Sequence, residues 1–323
     1  MRALERPKPD HVYDPAAEIR ALRRYRDSEP GRAIPGRTAG HVLLATWNIA
    51  NLGVHKRRDA DHRVIAEILS WFELVAVQEV ADDLSGIDAV VTHLPRHYAL
   101  IFTDKAGNDE RAAYIYDTRR VRLGGKIGEI GVTESERAEV RLPGINRAFE
   151  GFNRNPYLAS FVIEGKTLLV ANAHLYYGET SSAAAQRDSM ERRQLEALAI
   201  GRWCDLRRQS RNAYTRSILA VGDFNLPERV AGDPIFDALT RRGLELPPHT
   251  TRIPRTNVTN SADYDQIAFV PGLKRNLVET GVFDFDGALF RAIWDPQATH
   301  YWRTCAKYYV SDHRPLWTRL KLP

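Results

Sequence analysis

Ser217-Ile218-Leu219-Ala220-Val221-Gly222-Asp223-Phe224-Asn225 is an apolar, β-like run that stops on a glycine, an acid and an amide. A strand that leaves a core and ends on Asp or Asn holds those groups rigidly at the edge of a sheet. Lys307-Tyr308-Tyr309-Val310 reads as the last strand, leading in the same way into Ser311-Asp312-His313-Arg314-Pro315. Hydrolysis of a phosphate ester needs fixed carboxylates for a metal and a histidine for proton or charge work. The two segments together supply both.

The same pattern recurs outward from this pair. Val42-Leu43-Leu44-Ala45-Thr46-Trp47 is a buried strand ending at Asn48, and Leu74-Val75-Ala76-Val77 is another ending at Gln78-Glu79. Between them Asp61 to Phe72 is an amphipathic helix, with Val64, Ile65, Ile68, Leu69 and Phe72 on one face. Ala112 to Tyr116, Leu158 to Ile163 and Thr167 to Asn172 follow as strands, the last closed by His174, and Gln266 to Val270 is a strand opened by Asp265. Ser182 to Gln209 is a long helix with Leu195, Leu198 and Trp203 as core candidates. Short strands with few long helices do not make a regular βαβ repeat. They predict two packed sheets with helices outside, in one domain over residues 41–323.

Composition bounds the rest. The chain has 323 residues, 43% hydrophobic and 27% charged, enough to bury a sizeable core and too apolar for a disordered tail. Its net charge is +5, and residues 1–40 carry nine Lys or Arg against six Asp or Glu. The basic character therefore belongs more to this N-terminal extension than to the body, and is compatible with a polyanionic partner. The extension has one short helical candidate, Pro15 to Arg26. It reads either as a solvated, partly ordered segment or as a basic arm that touches a ligand. Two cysteines do not make a disulfide framework. The opening residues lack the apolar stretch of a secretory signal, and no run is long enough to span a bilayer, so the expectation is a soluble, cytoplasmic protein. Oligomeric state is not written in the sequence.

Taken singly, each polar strand end has a structural alternative. Gly-Asp and Asx residues favour turns, which covers Asp223 and Asn225. Asp312 serves as a cap, His174 as a satisfied core histidine, Glu79 as the partner of an arginine. Six strand edges ending on Asn, Glu, His, Asp/Asn, Asp and Asp-His are harder to assign to turns. Hard oxygen ligands suit Mg²⁺, Mn²⁺ or Ca²⁺, while a Cys/His zinc pattern and a glycine-rich phosphate cradle are absent.

On these residues the chain resembles the endonuclease/exonuclease/phosphatase superfamily, pancreatic deoxyribonuclease-type enzymes included. Thr46-Trp47-Asn48-Ile49, Val77-Gln78-Glu79-Val80, Ala173-His174-Leu175, Gly222-Asp223-Phe224-Asn225, Tyr264-Asp265-Gln266-Ile267 and Ser311-Asp312-His313-Arg314-Pro315 occur in the family's order. The resemblance implies an α/β fold, a four-layer α/β/β/α sandwich of two mixed sheets flanked by helices. It implies Glu79 as the main metal carboxylate, with Asn48 and Asp312 beside it and Mg²⁺, Mn²⁺ or Ca²⁺ as the ion. Asp223 and Asn225 then position or activate water, and His174 and His313 contact the scissile phosphate, His313 paired with Asp265. Glu110 orients His174, and Arg154 of Phe152-Asn153-Arg154-Asn155-Pro156 contacts phosphate. Arg111 contacts substrate or supports Glu110. The chain departs from deoxyribonucleases at two DNA-contact positions: Asn108 stands where they place a minor-groove tyrosine, and Ala81 where they have an arginine.

Phe290-Arg291-Ala292-Ile293-Trp294 and His300-Tyr301-Trp302-Arg303 interleave aromatic rings with arginine, which suits base stacking or closure of the core. Arg252, Arg255 and Thr256 form either a phosphate-facing loop or plain surface. The expected function is a metal-dependent phosphodiesterase on nucleic acid, an endonuclease. The alternatives are a phosphatase or phosphodiesterase on an inositol phosphate, phospholipid head group or nucleotide, and a catalytically silent binding module.

Overall fold

The computed structural model describes residues 4–322. Its strands are β1 (His41–Leu52), β2 (Leu74–Ala81), β3 (Tyr98–Phe102), β4 (Glu110–Asp117), β5 (Arg122–Glu129), β6 (Tyr157–Ile163), β7 (Lys166–His174), β8 (Ile218–Asp223), β9 (Asp265–Phe269), β10 (Leu277–Val282) and β11 (Leu316–Lys321). The helices are α1 (Pro15–Ser28), α2 (Asp59–Leu69), α3 (Ser85–Val91), α4 (Glu134–Arg137), α5 (Ala183–Gln209), α6 (Pro234–Thr240) and α7 (Thr299–Tyr309). One sheet has the order β10-β11-β1-β2-β4-β3, the other β5-β6-β7-β8-β9. Both are mixed: β1 with β2 and β7 with β8 run parallel, and the other neighbours run antiparallel.

Strand alternation explains the layering. In the first sheet Val42, Leu44, Leu74, Ala76, Tyr114 and Tyr116 face the second sheet and join its core. The residues between them, such as Leu43, Ala45, Trp47, Val75, Val77 and Ile115, join a separate core with α2 and α7. Strands buried on both faces read as the near-continuous apolar runs seen in the sequence. On the far side of the second sheet α5 lays Leu195, Leu198 and Ala199 onto the same core as β7 and β8, with Ser182 capping its start by accepting from the Ala185 amide. Trp203 is only partly buried. The result is the four-layer α/β/β/α sandwich.

Register brings the polar strand ends to one edge. His174 at the end of β7 pairs with Asp223 at the end of β8, and Asp223 pairs with Asp265 at the start of β9. Across the sandwich Asn48 pairs with Gln78, and Ala81 with Glu110. Gly222 permits the close approach of β7 and β8: its φ is +133°, and a Cβ there would run into the Ala173 carbonyl oxygen.

Two expectations are corrected. Lys307 to Val310 is not a strand: Lys307–Tyr309 is the last turn of α7, and Val310 follows it. Trp302, Cys305, Ala306 and Tyr309 are buried at helical spacing, and this longer period overrides the local β-like composition. The true final strand is β11, beyond the Ser311–Pro315 turn. The segment ahead of His41 is not a solvated appendage either. Leu22 of α1 is fully buried, Tyr25 Oη donates to Asp284 at 2.9 Å, and Arg32 pairs with Asp284 at 2.8 Å out of solvent.

Candidate active site

Asp223 is the hub of the strand-end cluster. It is buried, and its Oδ1 accepts from the Asn225 amide at 2.8 Å, while Oδ2 accepts from Asn48 Nδ2 at 3.0 Å. Two histidines flank Oδ2 through their Nε2 atoms, His174 at 3.6 Å and His313 at 3.8 Å. Each turns its Nδ1 to a carboxylate of its own: His174 to Glu110 at 2.5 Å and His313 to Asp265 at 2.9 Å. Asn225, held at φ +48°, donates Nδ2 to the Leu175 carbonyl at 2.8 Å, which ties the β8 loop to the β7 end.

The charges are arranged to keep both imidazoles protonated. Burial opposes the His313 imidazolium, but Asp265 and Asp223 outweigh it and hold His313 well above its ordinary value. Burial and Arg154 oppose the His174 imidazolium, and Glu110 with Asp223 still raise it. Burial would raise Asp223, yet the two histidines and the amide donors keep it below the usual carboxylate range. Asp265 is the exception, pushed up to about 6 by burial despite His313.

Oxygen donors for a cation gather beside this hub. Glu79 accepts from Asn48 Nδ2 at 2.9 Å and from the Asn51 amide at 2.8 Å. It sits on a bulge of β2 with φ +60°, where the register of β2 with β4 shifts. This distortion aims the carboxylate into the cleft instead of along the pleat. Asn48 Oδ1 is buried without a hydrogen-bond partner, and Asp312 lines the same cleft as Glu79. An orphaned amide oxygen beside two carboxylates fits a hard divalent cation. Asp223, Asp265 and His313 also offer ligand atoms within 4.8 Å of one another. His313 Nδ1 is committed to Asp265, however, and a protonated imidazole does not ligate, so this trio reads as proton-handling groups.

The cleft, of about 360 Å³, brings together Glu79, Glu110, His174, Asp223, Asn225 and His313 with Asn108, Arg154 and Asp312. Arg154 is mostly committed inward: Nε donates to the His174 carbonyl and Nη2 to the Leu175 carbonyl, leaving a buried Nη1 unpartnered. The structure does not bring Arg111 into the cleft. Its guanidinium donates to Asp82 at 2.6 Å and to the Thr103 carbonyl at 2.7 Å, which supports the β4 edge that carries Glu110. Phe290 and Trp302 close the core. Arg255 pairs with Asp263, and Thr256 Oγ1 accepts from the Asp265 amide.

Several organising residues escape a sequence reading. Ser311 is no nucleophile: its buried Oγ donates to the Asn48 carbonyl and accepts from the Ala50 and His313 amides. Trp47 Nε1 donates to the His313 carbonyl at 2.8 Å. Arg57, buried behind Glu79 and Asp312, donates to the Ala50 and Val310 carbonyls. From α5, Arg193 donates to the carbonyls of Tyr176, Tyr177 and Asn225, and Glu196 accepts from the amides of Asn153 and Tyr176. Tyr177 and Tyr264 also line the cleft. Only a polar residue on an otherwise core-facing helix stripe hinted at the α5 pair.

The architecture is shared with known structures. An endonuclease/exonuclease/phosphatase family protein from Bacteroides thetaiotaomicron is 18% identical, with 88% of this chain and 95% of that one aligned and a TM-score of 0.56. A mannosyl-6-phosphatase of the same species is 18% identical, over 86% and 99% of the two chains, with a TM-score of 0.56. The 3′ phosphatase NExo from Neisseria, bound to a product DNA hairpin, is 13% identical over 86% and 98%, with a TM-score of 0.52. No family model and no curated protein sequence matches the chain. The fold is that of the endonuclease/exonuclease/phosphatase superfamily.

Proposed function

We propose that the chain is a divalent-metal-dependent phosphoesterase that hydrolyses phosphodiester bonds in nucleic acid, acting as an endonuclease. The observation that carries this reading is the pair of histidine–carboxylate couples whose Nε2 atoms flank one ionised carboxylate, Asp223. The DNA-bound neighbour and the basic balance of the chain support nucleic acid as the substrate.

The chemistry follows from these groups. Asp223 accepts a proton from water as the water oxygen bonds to phosphorus, with Asn225 orienting that water. His174 donates Nε2–H to a non-bridging oxygen. The ester P–O bond breaks, and His313 gives the departing oxygen its proton. The proton on Asp223 then returns to the His313 imidazole, which lies 3.8 Å away. Asp265 and Glu110 fix ring orientation and favour the imidazolium. A divalent cation held by Asn48, Glu79 and Asp312 supplies charge neutralisation for the anionic phosphate and its pentacovalent transition state. Mg²⁺ or Mn²⁺ fits this donor set.

Nicking of supercoiled plasmid by purified protein with Mg²⁺ or Mn²⁺ tests the reading, beside EDTA and His313→Ala controls. Nicking lost in both controls supports it. Folded protein that leaves plasmid, single strands and RNA intact sinks it. The resemblance to a mannosyl-6-phosphatase fold favours a second reading, hydrolysis of a small phosphate ester. Phosphate release from monoesters without diester cleavage would select that reading.

A further inference from the structure

We infer that the cleft engages nucleic acid through an unpaired or terminal nucleotide whose base stacks on Tyr177, so that single strands and frayed ends are the substrate class. This deepens the nuclease reading above and rests on it. Tyr177 lines the same cleft as His174, Asp223 and His313, three residues after His174, and the residue is 48% exposed. What sets it apart from other exposed rings is its place in the cleft that holds the two histidines.

The ring is also held in place. Its carbonyl accepts from Arg193 Nη2 at 2.5 Å, and the Arg193 guanidinium lies 5.2 Å from the ring centroid. Arg193 is itself fixed by the Tyr176 and Asn225 carbonyls. It therefore backs the ring and has little capacity left for a phosphate. The next residue, Gly178, has φ +83°, and a Cβ there would collide with Ser189. Ser189 Oγ in turn accepts from the Glu179 amide at 2.9 Å. The loop after His174 is thus pinned to α5 on both sides of the ring. A fixed aromatic ring backed by a guanidinium is a preformed stacking surface, and such surfaces accept any base.

Tyr264 extends the surface toward the chemistry. It packs on the His313 ring at 5.6 Å between centroids and lies within electrostatic reach of Tyr177, Asp223 and Asp312. Tyr264 by the reacting centre and the exposed Tyr177 ring thus line the same cleft. In a duplex, both faces of an internal base are covered by its neighbours, so such a base is not available to Tyr177. An unpaired or terminal base is. Tyr177, not the Asn108 position, would then carry base contact in this chain.

The test compares a short single-stranded DNA oligonucleotide, the same length of duplex, and a ring-free oligomer of abasic sites with equal phosphate count. Cleavage rates are measured with Mn²⁺. Binding is measured by fluorescence anisotropy in EDTA, which needs no turnover. The expected result is a ratio of kcat/KM, single-stranded over abasic, of about 10 or more. That ratio falls toward one in Tyr177→Ala and is retained in Tyr177→Phe, with the same order in affinity. Equal handling of base-bearing and abasic strands, preference for duplex, or an unchanged ratio in Tyr177→Ala would overturn the inference. If the wild-type protein cleaves nothing, the nuclease reading fails. The anisotropy ratio then still decides whether Tyr177 recognises a base.

Discussion

At the scale of single residues, Asp223 and Ser311 both bond to Asn48 but fail differently. Asp223→Asn keeps the size but removes the proton acceptor and the charge between the two imidazoles, so kcat should fall by about 10²–10⁴-fold. Ser311→Ala instead deprives the Ala50 and His313 amides of a buried acceptor. Its stability should fall by about 1–3 kcal/mol, read from denaturant unfolding. Glu79 gives a third outcome. Mn²⁺ at about 100 times its dissociation constant should stabilise the wild type by about 2.7 kcal/mol, and Glu79→Ala should lose that increment; an equal thermal shift in both proteins would remove Glu79 from the ion site. The residue types were legible from strand ends, because Asp, Asn and His directly after apolar runs carry a local signal. The positive φ of Glu79 was not, since a bulge arises from pairing between β2 and its neighbours. Arg193 and Glu196 were hidden for the same reason: their partners lie on other elements.

At the scale of elements, periodicity decided what could be read. β1, β2, β7 and β8 were found because burial on both faces writes them as continuous apolar runs. The end of α7 reads as a strand because Tyr308, Tyr309 and Val310 are β-formers in isolation, and the helix is fixed by contacts of Trp302 and Cys305 with the core. β3, β5, β10 and β11 left weaker traces; β5 is largely exposed. The sequence marks α1 as a helix but not where it docks, since Asp61 and Asp284, which accept from Tyr13 and Tyr25, lie far along the chain. Arg32→Ala leaves Asp284 buried against a lost cation. We expect a loss of about 3–5 kcal/mol, checked by chemical denaturation, where a surface-arm role would give almost none.

For the molecule as a whole, acid sensitivity should begin before the carboxylates titrate. His55 is buried, its Nε2 accepts from the Leu4 amide, and its ring stacks on Tyr308. Burial, with Arg57 nearby, pushes its pKa down to about 3. The unfolded chain binds this proton near pH 6.5 and the folded chain does not, so stability drops as pH falls below about 6.5 and continues to drop toward 3. By pH 4 the loss from this group is about 3 kcal/mol. His55→Gln, which retains an acceptor for Leu4, should make the stability profile shallower between pH 7 and 4, while His249, also pushed down to about 3 by burial, keeps part of the slope. An identical profile in the variant would assign acid sensitivity elsewhere.

The place of β11 in its sheet has a consequence for biosynthesis. Residues 316–321 insert between β1 and β10, so a nascent chain that has emerged only as far as residue 315 leaves both of those strand edges uncovered. The turn bearing Asp312 and His313 has no anchored strand after it until β11 docks. Vectorial synthesis therefore completes the strand-end cluster only after the β11 residues emerge. A ribosome-stalled intermediate should be prone to edge-to-edge association through β1.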